Sequence, residues 1–204
     1  MADGNQSLAQ EDKAWVQFGM PLEPALLLEF FQDVERLFRI NPYLVFKGWE
    51  TISAGQYRLH AINHSQAPAF EIDTEITVRP VSNGLEIHYS QCLKSCTRIT
   101  VQESSEGSSI VIEEEYEGIP VSERFDRLGE VDRSLTKWAE EIQQYLLQWQ
   151  RWAWFSPWRY YKKRVWQRMK PSARRITFVL LCISAVEIAL IGLGLAIYLA
   201  EFRK

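Results

Sequence analysis

Histidines, cysteines and clustered carboxylates are the side chains that could run acid–base chemistry or hold a metal, and this 204-residue chain has few of them. His60 and His64 fall on one face of a predicted strand, about 13 Å apart at strand rise, too far to share an ion. His88 belongs to another strand, and surface histidines held by solvent or hydrogen bonds account for all three. Cys92 and Cys96 are four apart without a second pair, and Cys182 lies in an apolar stretch. Such thiols build neither a disulfide framework nor a zinc site and read as reduced, buried side chains. Glu113, Glu114 and Glu115 form a charge run of the kind that usually ends a solvated strand. Alternation nevertheless aligns Glu114 with Ile110, Ile112 and Tyr116; on a concave face its carboxyl would point at a cavity and desolvation would raise its pKa. Gly-rich phosphate loops, nucleophile elbows and HExxH helices are missing from the sequence. No catalytic residue, metal or cofactor is therefore expected. Glu187, a carboxylate within an apolar run, is the last chemically pointed residue.

The elements that would position these residues follow from pattern. Ala14–Gly19 reads as a strand. Two short helices follow from Pro24, with a break near Asp33 and an end at Asn41–Pro42. Tyr43–Ile52 and Gln56–His64 flank the turn cluster Ser53–Gly55. Phe70–Val78 alternates, with Phe70, Ile72, Thr74, Ile76 and Val78 on one face and Glu71, Asp73, Glu75 and Thr77 on the other, as a half-buried antiparallel strand does. Asn83–Gly84 marks a hairpin into Leu85–Cys92, and Thr97–Glu103 pairs with Ser109–Tyr116. Ser122 can cap a long helix whose apolar positions Phe125, Leu128, Val131, Leu135, Trp138, Ile142, Leu146 and Trp149 recur at steps of three and four. One stripe of that length needs a broad apolar surface, which a curved antiparallel sheet supplies.

Charge divides the chain further. Residues 1–148 carry 12 Lys/Arg and 24 Asp/Glu, whereas residues 149–175 carry 9 Lys/Arg and no acid. The start, residues 1–13, is polar and lacks an apolar h-region, so it reads as a disordered leader rather than a secretory signal. Residues 176–200 hold 14 Ile, Leu, Val or Phe and the single charge of Glu187. As a helix this stretch is about 37 Å long, enough to cross a roughly 30 Å hydrocarbon core. Its apolar content outweighs the cost of about 3 kcal/mol for a central acid. The basic flank predicts a single-pass, C-terminal anchor with the N-terminal domain cytoplasmic and residues 201–204 as a short far-side tail. Trp152, Trp154, Trp158, Tyr161 and Trp166 interleave with Lys162, Lys163 and Arg164 in the connector, residues 150–175, as in helices lying among lipid headgroups. Ser156–Pro157 would open that helix and Lys170–Pro171 would close it. A nucleic-acid patch has similar composition, but the adjoining span and the acidic body argue against it. Within the span Ala185, Ala189, Gly192 and Ala196 make one narrow face, either ordinary membrane-helix content or a contact with another membrane subunit. Glu187 stands on a different face and is a second candidate for partner contact.

The order strand, two short helices, six strands, long helix resembles the helix-grip fold of the START/Bet v 1-like (SRPBCC, polyketide-cyclase-like) superfamily over about residues 14–149. Its most telling stretch is Asp33-Val34-Glu35-Arg36-Leu37 leading to Asn41-Pro42, similar to the family's Asp-Pro-Glu-Arg-type second helix, with Val34 in place of the usual proline. The resemblance implies an α+β domain: a curved, seven-stranded antiparallel sheet, two short helices and a long helix, here followed by a transmembrane helix. It also implies an apolar ligand, such as a lipid, quinone or isoprenoid, held between sheet and long helix. Phe70, Ile72, Ile76, Ile87, Tyr89, Ile110, Ile112, Glu114, Leu128, Leu135 and Trp138 would line that cleft. An accessory or assembly subunit of a membrane complex, with a filled core, is the alternative; a cyclase-like enzyme is the third reading and lacks an acid–base pair. A cavity of several hundred Å³ would favour the binder and a solid core the accessory subunit.

Overall fold

The computed structural model describes residues 13–105, 107–116, 133–152, 169 and 171–202. Two compact units, Met1–Gln167 and Arg168–Lys204, make up the chain. In the first unit the elements run β1 (Lys13–Met20), α1 (Pro24–Phe31), α2 (Val34–Ile40), β2 (Leu44–Ser53), β3 (Gln56–Asn63), β4 (Phe70–Val81), β5 (Gly84–Tyr89), β6 (Cys96–Ser104), β7 (Gly107–Glu115) and α3 (Leu135–Trp152). All seven strands join one antiparallel sheet in the order β1-β7-β6-β5-β4-β3-β2. This is the helix-grip arrangement: a meander closed at one edge by the first strand, with a long helix at its end.

Each element has a local cause. Asp33 caps α2, its carboxylate accepting from the Arg36 amide at 3.1 Å, which also explains the break after α1. Pairing proceeds by hairpins of two to six residues, except that β1 pairs with β7 across the chain. Gly107 opens β7 with φ +127° against Met20, where a Cβ would stand 2.4 Å from the Met20 carbonyl oxygen. No other residue fits there. The Leu22 carbonyl accepts from Ser108 Oγ at 2.6 Å, so the β1–α1 corner is fastened to the start of β7.

The inner faces of the strands alternate as expected. Leu59 and Ala61 on β3, Ile76 on β4, Ile87 on β5, Ile99 on β6, and Ile110 and Ile112 on β7 are all buried. From the helical side come Leu27, Phe31, Leu37, Ile40, Trp138 and Ile142. Full burial of side chains of this size contributes roughly 1.5–3 kcal/mol each. The outer face of the sheet carries cross-strand ion pairs instead: Arg58 with Asp73, His60 with Glu71, and Arg98 with Glu86 and Glu115.

The long helix differs from the sequence expectation. Arg133 and Ser134 are not helical and α3 starts at Leu135, so the apolar stripe does not run as one helix from Ser122 to Trp149. The reason is tertiary. The Arg133 amide donates to Ser65 Oγ at 3.1 Å, Asn41 Nδ2 donates to Ser134 Oγ at 2.7 Å, and the Ser134 carbonyl accepts the first helical bond, from Trp138 at 2.7 Å. Those bonds hold residues 133 and 134 out of the helix and set the first turn after them. Expected positions before Arg133, namely Ser122, Phe125, Leu128 and Val131, lie outside the described residues.

The second unit is the helix α4, Pro171–Phe202. Pro171 occupies the first helical position, where its missing N–H costs nothing. From Ile176 to Phe202 the helix is long and apolar enough to cross a membrane, and none of it is buried in the protein. The expected boundary at Ile176 marks where the apolar run begins, a turn after the helix itself.

Candidate functional site

The inner sheet face and α3 meet along a line of aromatic rings. Phe38, from α2, stacks on Trp138 with ring centroids 5.8 Å apart, meets Tyr89 edge-on at 6.4 Å, and lies 6.0 Å from Trp49. Trp138 is fixed from its other end, since Nε1 donates to the Leu37 carbonyl at 2.8 Å. Beside these rings the sheet and helix leave a cavity of about 20 Å³, room for roughly one water molecule. Its walls are Phe38, Leu44, Leu59, Phe70, Ile72, Tyr89 and Trp138, with Asn41, Cys92 and Lys94 as polar or polarisable members.

Of the residues expected to line a cleft, Phe70, Ile72, Tyr89 and Trp138 come together at this cavity. Ile76, Ile87, Ile110, Ile112 and Leu135 are buried in the same core without lining it. Leu128 lies outside the described residues. Sequence reasoning did not select Phe38, Asn41, Leu44, Leu59, Cys92 or Lys94. Asn41 and Phe38 carry a signal in the helix that ends at Asn-Pro; Lys94 sits in the loop after β5, where no periodicity points inward.

Glu114 lies on the inner face of β7 with Ile110 and Ile112, wholly buried. Lys94 Nζ donates to its Oε1 at 2.7 Å, and the Tyr116 hydroxyl donates to Oε2 at 3.0 Å. The Lys94 side chain is only 8% exposed, and its ammonium stands 5.2 Å from the centre of the Tyr89 ring. Tyr89 Oη and Thr97 Oγ1 are hydrogen-bonded at 3.0 Å, and burial pushes the Tyr89 hydroxyl pKa well up, so it stays protonated. The site is thus an apolar, aromatic-walled space with a buried ion pair at its border.

The remaining titratable residues have ordinary places. His60 and His88 sit on the outer sheet face, hydrogen-bonded to Glu71 and Glu86. Burial pushes the Cys96 thiol up to about 11. No group of three His, Cys, Asp or Glu that could hold a metal occurs among the described residues.

On α4, Ala185, Glu187, Ala189, Gly192 and Ala196 are all exposed. Trp152 is the last residue of α3. The expected headgroup contacts Trp154, Trp158, Tyr161, Lys162, Lys163, Arg164 and Trp166, like the leader residues 1–12, lie outside the described residues.

No protein-family model matches the chain, and no curated protein matches it. Among solved structures it is similar to TTHA0849 from Thermus thermophilus (16% identity, 63% of this chain and 94% of that one, TM-score 0.43). It is also similar to Ara h 8.0201 (13% identity, 67% and 97%, TM-score 0.42). A third is the AHSA1 protein from Silicibacter pomeroyi (10% identity, 67% and 98%, TM-score 0.42).

Proposed function

We propose that this chain is a membrane-anchored protein whose cytoplasmic domain takes an apolar molecule of lipid, quinone or isoprenoid type into the cleft between sheet and α3. The observation that carries the reading is the Lys94–Glu114 pair at the border of a largely apolar cavity. As a stabilising device such a pair is poor, because desolvation offsets most of the attraction and apolar replacements are often as stable or better. A buried charge pair against an apolar space is instead what a site needs to orient a ligand with one polar end. Phe70, Ile72, Tyr89 and Trp138 supply the apolar walls, while Ile76, Ile87, Ile110, Ile112 and Leu135 form the bed beneath.

A space of 20 Å³ does not hold such a ligand, so uptake requires a side chain to move. Phe38 is the candidate: it lines the cavity and stands against Trp138, Tyr89 and Trp49. Anchoring holds the domain near the ligand's reservoir and raises the ligand's effective concentration. Crossing by α4, the basic connector on anionic lipid, and the positive-inside rule support the single-pass, cytoplasmic arrangement.

The same small volume favours a second reading, an accessory subunit of a membrane complex with a permanently filled core and its contacts at Ala185, Glu187, Ala189, Gly192 and Ala196. Native mass spectrometry of the full-length protein from membranes separates the two. The first reading expects a bound apolar molecule, retained more strongly when Phe38→Ala enlarges the cleft. A protein that arrives empty in both forms but carries a stoichiometric membrane subunit belongs to the second.

A further inference from the structure

Lys94 is the only primary amine among the described residues that line the cavity. Lysine seldom leaves solvent, yet this side chain is almost closed to it. Two distances fix where its ammonium stands. Nζ is 2.7 Å from Glu114 Oε1 and 5.2 Å from the centre of the Tyr89 ring, and that ring is itself part of the cavity wall. Leu59, Phe70 and Ile72 line the same space. An amine is therefore held at the edge of an apolar space with a carboxylate in hydrogen-bond contact, within reach to take a proton from it. Lysine amines condense with carbonyl carbons, and walls that exclude water protect the product from hydrolysis.

We infer that the apolar ligand of the cleft carries an aldehyde at its polar end, which Lys94 binds covalently as an iminium; the inference rests on the uptake reading above. Glu114 Oε1 accepts a proton from the ammonium. The freed amine adds to the carbonyl carbon and passes a hydrogen to its oxygen, giving a carbinolamine. The proton on Glu114 then goes to the carbinolamine hydroxyl, which leaves as water while the C=N bond forms. Aldehyde and ammonium thus become iminium and water, with no other reactant and no change in charge. The positive charge stays on the same nitrogen, so every group around Lys94 and Glu114 meets the same charges before and after, and the Tyr89 ring keeps its cation. An alkane, an alcohol or a carboxylic acid forms no such bond.

Nonanal and nonane, added to the full-length protein in nanodiscs, test this. Sodium cyanoborohydride reduces an iminium to a stable amine, so peptide mass mapping reports which lysines have reacted. Tryptophan fluorescence reports nonane in the cleft through Trp138, which lines it. Lys94 is expected to be alkylated about tenfold faster than Lys13 or Lys47, both exposed, because the cleft holds the aldehyde beside it. Saturating nonane should slow the alkylation of Lys94 and leave that of Lys13 and Lys47 unchanged. Lys94→Arg, which keeps the charge and removes the primary amine, should abolish the nonane-sensitive reaction. Mapping and competition are carried out on the wild type, so they decide the matter even if that variant misfolds. Nonane binding while Lys94 reacts no faster than the exposed lysines, or at a rate that bound nonane does not change, overturns the inference and leaves apolar uptake standing. Failure of nonane to bind and of nonanal to react at Lys94 overturns both.

Discussion

Lys94 and Glu114 define what a single side chain can do here. Their contact is 2.7 Å long and almost closed to solvent. Lys94→Met should destabilise the protein by about 3–5 kcal/mol, because the buried carboxyl of Glu114 loses the ammonium that contacts it. Lys94→Met with Glu114→Leu should recover most of that loss, and urea unfolding of the two variants checks both. A double variant as unstable as the single one would mean that the pair is structural, not a site retained at a cost. Cys96 gives a second residue-scale expectation. Its thiol is raised from 9.0 to about 11 by burial, so the unfolded chain loses this proton before the folded one does. The stability that Cys96 contributes is complete below pH 9 and is lost as pH rises through about 11. Between pH 9 and 10, Cys96→Ala should flatten the fall of melting temperature with pH. Alternation along β7 made the inward aim of Glu114 readable in the sequence. Its partner was not readable, because Lys94 reaches it from a loop whose conformation owes nothing to a repeating pattern.

At the scale of elements, the strands were legible because each is bounded by turn residues and buried on one face. Phe70–Val78 shows this best: Glu71, Asp73, Glu75 and Thr77 face outward and Thr74 and Ile76 are buried. The start of α3 was not legible. An apolar stripe at steps of three and four specifies which face a helix buries, but not where its first turn begins, and here Ser65 and Asn41 decide that. Both come from distant corners of the chain. Ser134→Ala should therefore cost more than an ordinary cap replacement, about 1–3 kcal/mol, since it strands the amide of Asn41 in the core. Denaturant unfolding of the full-length protein reads the loss, and amide exchange in the first turn of α3 should rise with it. A change below about 0.5 kcal/mol would show that the helix start is held by packing alone.

The whole molecule joins an acidic domain to a basic stretch and an apolar helix, and this contrast was visible from composition before any coordinate. The geometry of the cleft was not, because its volume depends on how Phe38, Tyr89 and Trp138 interlock, which side-chain type does not determine. Charge contrast also sets the last prediction. With 9 basic residues and no acid in residues 149–175, translocating that stretch is opposed by the membrane potential and by anionic headgroups on the cytoplasmic side. Carbonate washing should leave the full-length protein in the membrane, because α4 is held by roughly two dozen residues of apolar surface rather than by charge. In intact cells, an impermeant maleimide should label a cysteine placed at Phe202 and spare one placed at Trp15, which is exposed on the outer face of β1. Replacing Lys162, Lys163, Arg164 and Arg168 by glutamine weakens the charge asymmetry between the two ends of the span. A fraction of molecules should then invert and exchange the two labels. Release by carbonate would remove the anchor from the account, and labelling at Trp15 in the unaltered chain would put the domain, with its cleft, on the other side of the bilayer.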